Sequence, residues 1–198
     1  MHRMSYRIAS GDALIIVDYQ NDFCPGGALA VDGADEIAPL LNAYAKAFSR
    51  SGAPIYATRD WHPSNHTSFK AQGGIWPPHC VRGTKGAEFS PQLSLPAGTR
   101  VISKATSASE EAYSGFDGTD LAHDLRAKGI TRLFVGGLAT EYCVKSTVLD
   151  ALEHGFDVVL LTDSIRGVKL KPEDSENAIR EMLMKGAIRA TLAEFDLG

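Results

Sequence analysis

Along most of its length the chain alternates short apolar, β-prone runs with amphipathic stretches of helical length, a rhythm that leaves few architectures open. Residues 13–17, 54–58, 100–103, 133–135, 157–161 and 187–191 predict six strands. Their near-continuous apolar character, in place of strict alternation, is what strands buried on both faces show, so the expected class is α/β with a parallel sheet covered on each side. Between them, the stretch 35–49 places Ile37, Leu40, Leu41, Tyr44 and Phe48 on one helical face, and 141–154 does the same with Val144, Val148 and Leu152. Gly155 follows the second as a stop, and the stretches 119–128 before Gly129 and 173–185 before Gly186 repeat that punctuation.

One stretch breaks the rhythm. Residues 59–98 show little periodicity and hold Pro63, Pro77, Pro78, Pro91 and Pro96. A loop of about forty residues is too long for an idle connection in a compact domain, and such loops are usually functional. No repeat, low-complexity tract or linker composition divides the chain, so residues 1–198 are expected to form a single domain. At 198 residues with 44% hydrophobic and 22% charged side chains, the chain can bury an ordinary core, which excludes a disordered protein.

Partners are narrowed in the same way. Twenty basic against 24 acidic residues give a net charge of −4 with no basic block, which argues against nucleic acid. The longest apolar runs fall far short of the roughly 20 residues a membrane-spanning helix needs. Residues 1–7 are followed by only a short apolar stretch ending at Asp18, which is no signal-peptide core and points to a cytoplasmic chain. Cys24, Cys80 and Cys143 are odd in number and lack C-x-x-C spacing, so a disulfide framework or four-thiolate zinc site is not expected.

The long loop concentrates metal-ligand chemistry. It carries Asp60-Trp61-His62-Pro63-Ser64-Asn65-His66 and then Trp76-Pro77-Pro78-His79-Cys80, three of the six histidines and both tryptophans. A D-x-H pair alone reads as a turn with solvated histidines. With His66 four positions on and His79 after a rigid Trp-Pro-Pro, the set suits Zn²⁺, Fe²⁺ or Mn²⁺, and it follows the second strand, where open α/β sheets place ligands.

A second feature is Leu133-Phe134-Val135-Gly136-Gly137-Leu138-Ala139-Thr140-Glu141-Tyr142-Cys143, a strand entering a small-residue turn and a helix. In the first turn of that helix, unpaired N–H groups and the helix dipole would favour a thiolate at Cys143; the alternative is a small core residue. G-x-G-x-x-G is absent, which disfavours a nucleotide site. Asp18 and Lys104 each end another predicted strand, so the three side chains can converge if those strands are central. A buried Asp18 is a competent proton carrier, although it could simply cap its turn, and Lys104 could be a solvated strand-end lysine.

Four ordered segments together resemble the nicotinamidases of the isochorismatase-like hydrolase superfamily. They are Val17-Asp18-Tyr19-Gln20-Asn21-Asp22-Phe23-Cys24-Pro25-Gly26-Gly27-Ala28-Leu29, the Asp60–His66 and Trp76–Cys80 segments, Lys104 with Tyr113-Ser114-Gly115-Phe116, and the Gly136–Cys143 turn. The resemblance implies a three-layer α/β/α fold with a six-stranded parallel sheet. It implies hydrolysis of nicotinamide to nicotinate and ammonia, extending to pyrazinamide, by a triad of Asp18, Lys104 and Cys143. It further implies one divalent metal ion, zinc foremost, with iron or manganese open, held by Asp60, His62 and His79 and in some members by the position of His66. Backbone N–H groups of Ala139 and Cys143 would form an oxyanion hole, with a cis peptide between Leu138 and Ala139. Phe23 and Trp76 would sandwich the substrate ring, with Leu138 and Tyr113 as further contacts. A homo-oligomer is also expected from the resemblance.

Ala105 stands where a glycine often follows the lysine, and Glu111-Ala112-Tyr113 replaces a frequent Asp-Ser-Tyr. The competing expectations are another metal-binding amidohydrolase of the superfamily, or a catalytically silent metal-binding module on the same scaffold.

Overall fold

The computed structural model describes residues 6–196; of the charged start of the chain, the first five residues lie outside these. Six parallel strands, β1 (Asp12–Val17), β2 (Ile55–Asp60), β3 (Arg100–Lys104), β4 (Arg132–Leu138), β5 (Asp157–Arg166) and β6 (Ile188–Ala190), form one sheet in the order β3-β2-β1-β4-β5-β6. All six predicted strands are present. The order runs outward from β1 in one direction through β2 and β3 and in the other through β4, β5 and β6. The switch therefore lies between β1 and β4, and ligands of open sheets bind at the carboxyl side of such a switch.

Side-chain alternation on β1 shows how the two faces are filled. Leu14 and Ile16 pack with Ile37, Leu41, Tyr44 and Phe48 of α1 (Ala34–Arg50). Ala13, Ile15 and Val17 face the opposite layer, with Leu121 and Leu125 of α2 (Leu121–Ala127), Val148 and Ala151 of α3 (Lys145–Glu153) and Met182 of α4 (Asp174–Met184). Every residue of β1 is buried, as expected for a central strand covered on both faces. The result is the expected three-layer α/β/α arrangement.

Some predicted boundaries shift. β4 runs on to Leu138 because Gly136 and Gly137 keep register with Ile16 and Val17 of β1, and β5 runs on to Arg166 because its polar side chains find internal partners: Asp163 accepts from Tyr44 Oη at 2.9 Å and from the Leu192 N–H at 2.8 Å. The helix expected over 141–154 begins instead as a π-helical turn over Thr140–Val144, with the Val144 N–H reaching the Ala139 carbonyl at 3.2 Å.

The long loop is ordered by short backbone bridges. His62 pairs with Val81, Phe69 with Trp76 and Gln20 with Phe89, while the Thr67 N–H donates to the Ala108 carbonyl at 2.8 Å. These ties draw His62 and the Trp76–Cys80 stretch together over the strand ends. No helix among the described residues is long and apolar enough to cross a membrane.

Candidate active site

Four strand ends deliver the predicted chemistry to one place. Asp18 is the first residue beyond β1, Asp60 and Lys104 are the last residues of β2 and β3, and Cys143 lies in the turn that leaves β4. Asp60 and Lys104 are register partners on neighbouring strands, so their side chains start level with one another. Lys104, fully buried, ion-pairs with Asp60 and with Asp18 Oδ2 at 2.9 Å, and lies 3.4 Å from Cys143 Sγ. An oxygen of Asp18, an oxygen of Asp60 and Cys143 Sγ lie within 4.8 Å of one another.

Charge is distributed unevenly in this buried cluster. Burial raises the Asp18 carboxyl above the usual range, against the pull of the Lys104 ammonium. Burial opposes the charge on Lys104, but Asp18 and Asp60 outweigh it and hold the ammonium well above its ordinary range. Cys143 is pushed well above the usual thiol range by burial, which Lys104 opposes and Asp18 and Asp60 reinforce. Burial and the two carboxylates thus act against the thiolate that the start of a helix favours, while Lys104 acts for it. Asp18 Oδ1 accepts from Thr58 Oγ1 at 2.7 Å, while Oδ2 faces the Lys104 ammonium at 2.9 Å.

Beside the triad, Asp60, His62 and His79 each offer a ligand atom within 4.8 Å of the others, and all three are buried. The Nδ1 of His62 lies 3.0 Å from the His79 carbonyl and the Nδ1 of His79 lies 2.8 Å from the Pro77 carbonyl. Donation from both Nδ1 atoms leaves each Nε2 with a free lone pair, the arrangement metal-binding histidines use. Burial, with His79 beside it, lowers His62 to about 3, so its ring is neutral. Two buried carboxylates face one buried ammonium, which leaves one negative charge without a partner and favours a cation beside them. The donor set and the charge both fit one divalent ion of borderline hardness.

His66 stands next to this group, its ring centroid 4.4 Å from that of His62. Both of its ring nitrogens are engaged, Nδ1 with Ser68 Oγ at 2.7 Å and Nε2 with the Glu110 carbonyl at 3.0 Å, and it falls with His62 and Glu111 in a second grouping rather than in the first.

A narrow cleft opens above the cluster, lined by Cys143, Ala139, Phe23, Trp76, Tyr113 and the Asp60, His62 and His79 group. Trp76 Nε1 donates to Tyr113 Oη at 3.0 Å, and Trp76 meets Tyr142 edge-on at 5.1 Å. Phe23 lies 5.6 Å from the His79 ring. Leu138, expected among the substrate contacts, turns a fully buried side chain into the α1-side core instead, because inward and outward positions alternate to the end of β4. The Leu138–Ala139 peptide is cis.

A family model of the isochorismatase domain matches residues 12–194. The chain belongs to the isochorismatase family. It is similar to the nicotinamidase of Escherichia coli (strain K12), 40% identical over 93% of this chain and 96% of that one. Among solved structures it is similar to the pyrazinamidase of Pyrococcus horikoshii in complex with zinc, with 53% identity and a TM-score of 0.89 over 92% of this chain and 99% of that one. It is likewise similar to PnC1 of L. infantum in complex with nicotinate, with 36% identity and a TM-score of 0.90 over 96% and 98%.

Several residues of this isochorismatase-family site were given no role from the sequence. Thr58, which orients Asp18, is one β-branched residue in an apolar run. Gln20 clamps Asp60 from both sides, its Nε2 donating to the Asp60 carbonyl and its Oε1 accepting the Asp60 N–H, each at 2.8 Å. Its place two residues beyond Asp18, buried and polar, is a signal that could have been used. Leu29, at the end of the first resemblance segment, also lines the cleft, and Val168 reaches it from the loop after β5, which has no such marker.

Proposed function

We propose that the chain is an amidohydrolase that converts nicotinamide to nicotinate and ammonia through a thioester on Cys143, with pyrazinamide as a further substrate. The observation that carries this reading is the convergence of Asp18 and Lys104 on Cys143, which lines a cleft whose walls hold aromatic rings and the Asp60, His62 and His79 group. Similarity to the E. coli nicotinamidase and to the zinc-bound pyrazinamidase supports it.

In this mechanism Asp18 Oδ2 takes the thiol proton and the sulfur adds to the carboxamide carbon. Lys104 compensates the charge as it moves between the sulfur and Asp18. Backbone N–H groups of Ala139 and Cys143 receive the oxyanion, a contribution of roughly 3 to 4 kcal/mol per donor in comparable acyl-transfer sites. Asp18 returns its proton to the departing ammonia, and water cleaves the thioester with Asp18 again as base. Phe23 and Trp76 supply the aromatic walls for the pyridine ring, and Tyr113 buttresses Trp76. Asp60, His62 and His79 would hold the ion, which when bound supplies a Lewis-acid anchor for the ring side of the substrate. His66 is a candidate additional ligand. The activity places the chain in salvage of the pyridine ring for NAD, and the whole chain is read as one domain.

The decisive experiment measures ammonia release from nicotinamide by the purified chain, before and after chelation, with Cys143→Ala alongside. Metal-dependent release that vanishes in the variant is expected. No release from zinc-loaded protein would overturn the substrate assignment and turn attention to other amides.

A further inference from the structure

We propose, on the basis of the amide-hydrolase reading above, that Glu141 is a positioning residue that straps the segment 167–173 across the cleft and so sets the room around the bound ring. The segment joins β5, which ends at Arg166, to α4, which begins at Asp174. Its second residue, Val168, lines the same cleft as Cys143. Beyond Val168 the segment has little burial to hold it, since residues 169–173 are all exposed and Leu170 is 66% exposed.

Hydrogen bonds from Glu141 do what apolar packing does not. Its Oε1 accepts the Lys169 N–H at 2.6 Å and its Oε2 accepts from Ser175 Oγ at 3.1 Å, so one carboxylate grips the segment and the first turn of α4 together. The backbone is pressed close against that grip: a Cβ on Gly167 would lie 1.9 Å from Ser175 Oγ and 2.2 Å from Glu141 Oε2. Lys169 holds φ at +54°, a left-handed conformation that a lysine keeps only where its surroundings impose it. The far end is closed locally, the Lys171 N–H donating to Asp174 Oδ2 at 2.8 Å, which ties it to α4 and not to the cleft.

Glu141 stands two residues before Cys143, in the π-helical turn itself. The turn that presents the nucleophile thus also anchors the wall of the pocket, and a substrate sees both held by one element. A carboxylate suits this task because both oxygens accept; a glutamine there would turn an N–H₂ toward one of two donors.

The test compares zinc-loaded wild type, Glu141→Ala, Glu141→Gln and Ser175→Ala. Glu141→Ala is expected to raise KM for nicotinamide about three- to tenfold with kcat held within about twofold, the pattern of lost binding interactions with chemistry retained. Glu141→Gln should be intermediate. Ser175→Ala, remote from the nucleophile turn, should produce the smallest shift in the same direction. Ring-substituted nicotinamides should gain relative to nicotinamide in kcat/KM. Hydrogen exchange at Lys169 should accelerate in Glu141→Ala while the 140–145 turn keeps its protection. Unchanged exchange at Lys169, or an unchanged KM, overturns the strap; so does a fall in kcat with KM unchanged, which would mean that Glu141 acts on the nucleophile turn alone. Failure of wild type to hydrolyse nicotinamide would sink the functional reading, while the exchange comparison, which needs no substrate, still decides whether Glu141 holds the segment.

Discussion

The two oxygens of Asp18 live in different surroundings, and the proposed chemistry depends on the difference. Oδ1 is held by Thr58 Oγ1, whereas Oδ2 faces the mobile protons of the Lys104 ammonium at 2.9 Å. One oxygen fixes orientation and the other is left to exchange a proton. Asp18→Asn keeps the shape and the Thr58 contact but removes the acceptor, and a buried thiol pushed above its usual range does not ionise unaided. Ammonia release should fall by about 10² to 10⁴, the range general-base catalysis spans, while nicotinate binding measured by calorimetry changes little. Release within tenfold of wild type would assign the proton to another group. Asp18 and Lys104 stood out in the sequence as charged residues at the ends of predicted strands, and Cys143 as a thiol just past a strand and a Gly-Gly turn. Thr58 did not, since a threonine inside a strand is as often a packing residue as a hydrogen-bond donor.

At the scale of elements, the site depends on how closely β4 passes β1. Gly137 pairs with Val17, has φ of +123°, and a Cβ there would fall 2.1 Å from the Val17 carbonyl oxygen. Gly137→Ala must therefore separate the two central strands whose ends carry Asp18 and the Cys143 turn, and it should cost more than about 3 kcal/mol in urea unfolding of the zinc-loaded chain. Gly52→Ala is the control: φ is +72° but nothing lies within 4 Å, so only the backbone penalty of about 1 to 2 kcal/mol applies. Equal losses at the two positions would show that close approach at β4 is not what the glycine is for. The six strands themselves were readable because burial on both faces leaves near-continuous apolar runs. Their carboxyl ends were not, because β5 continues through Thr162 and Asp163, whose polar atoms are satisfied by Ala190, Tyr44 and Leu192, contacts that no local pattern announces. The π-helical turn at 140–144 likewise shares its composition with an ordinary helix start.

Taken as a whole, the molecule combines a packed sheet with a long loop held mainly by backbone bridges and by the grouping of His62 and His79 near Asp60. A dication shared by the strand residue and the two loop histidines would join loop to sheet, and it would offset a buried cluster in which Asp18 and Asp60 outnumber Lys104. Metal binding should therefore appear as stability of the entire chain and not only as activity. At a free zinc concentration about a hundredfold above Kd, linkage gives roughly 2.7 kcal/mol. Chelated protein should unfold at lower temperature than zinc-loaded protein, with the loss of exchange protection concentrated over residues 61–82, where His62, His79 and their carbonyl partners on Pro77 and His79 lie. His62→Ala should abolish the difference in Tm, since it removes a neutral donor shared by both ligand groupings. His66→Ala then separates the remaining alternatives: a zinc Kd equal to that of wild type leaves His66 as a packing residue bonded to Ser68 and Glu110, and a weakened Kd makes it a ligand that exchanges its Glu110 contact for the ion. A Tm insensitive to zinc in the wild-type chain would defeat the site altogether.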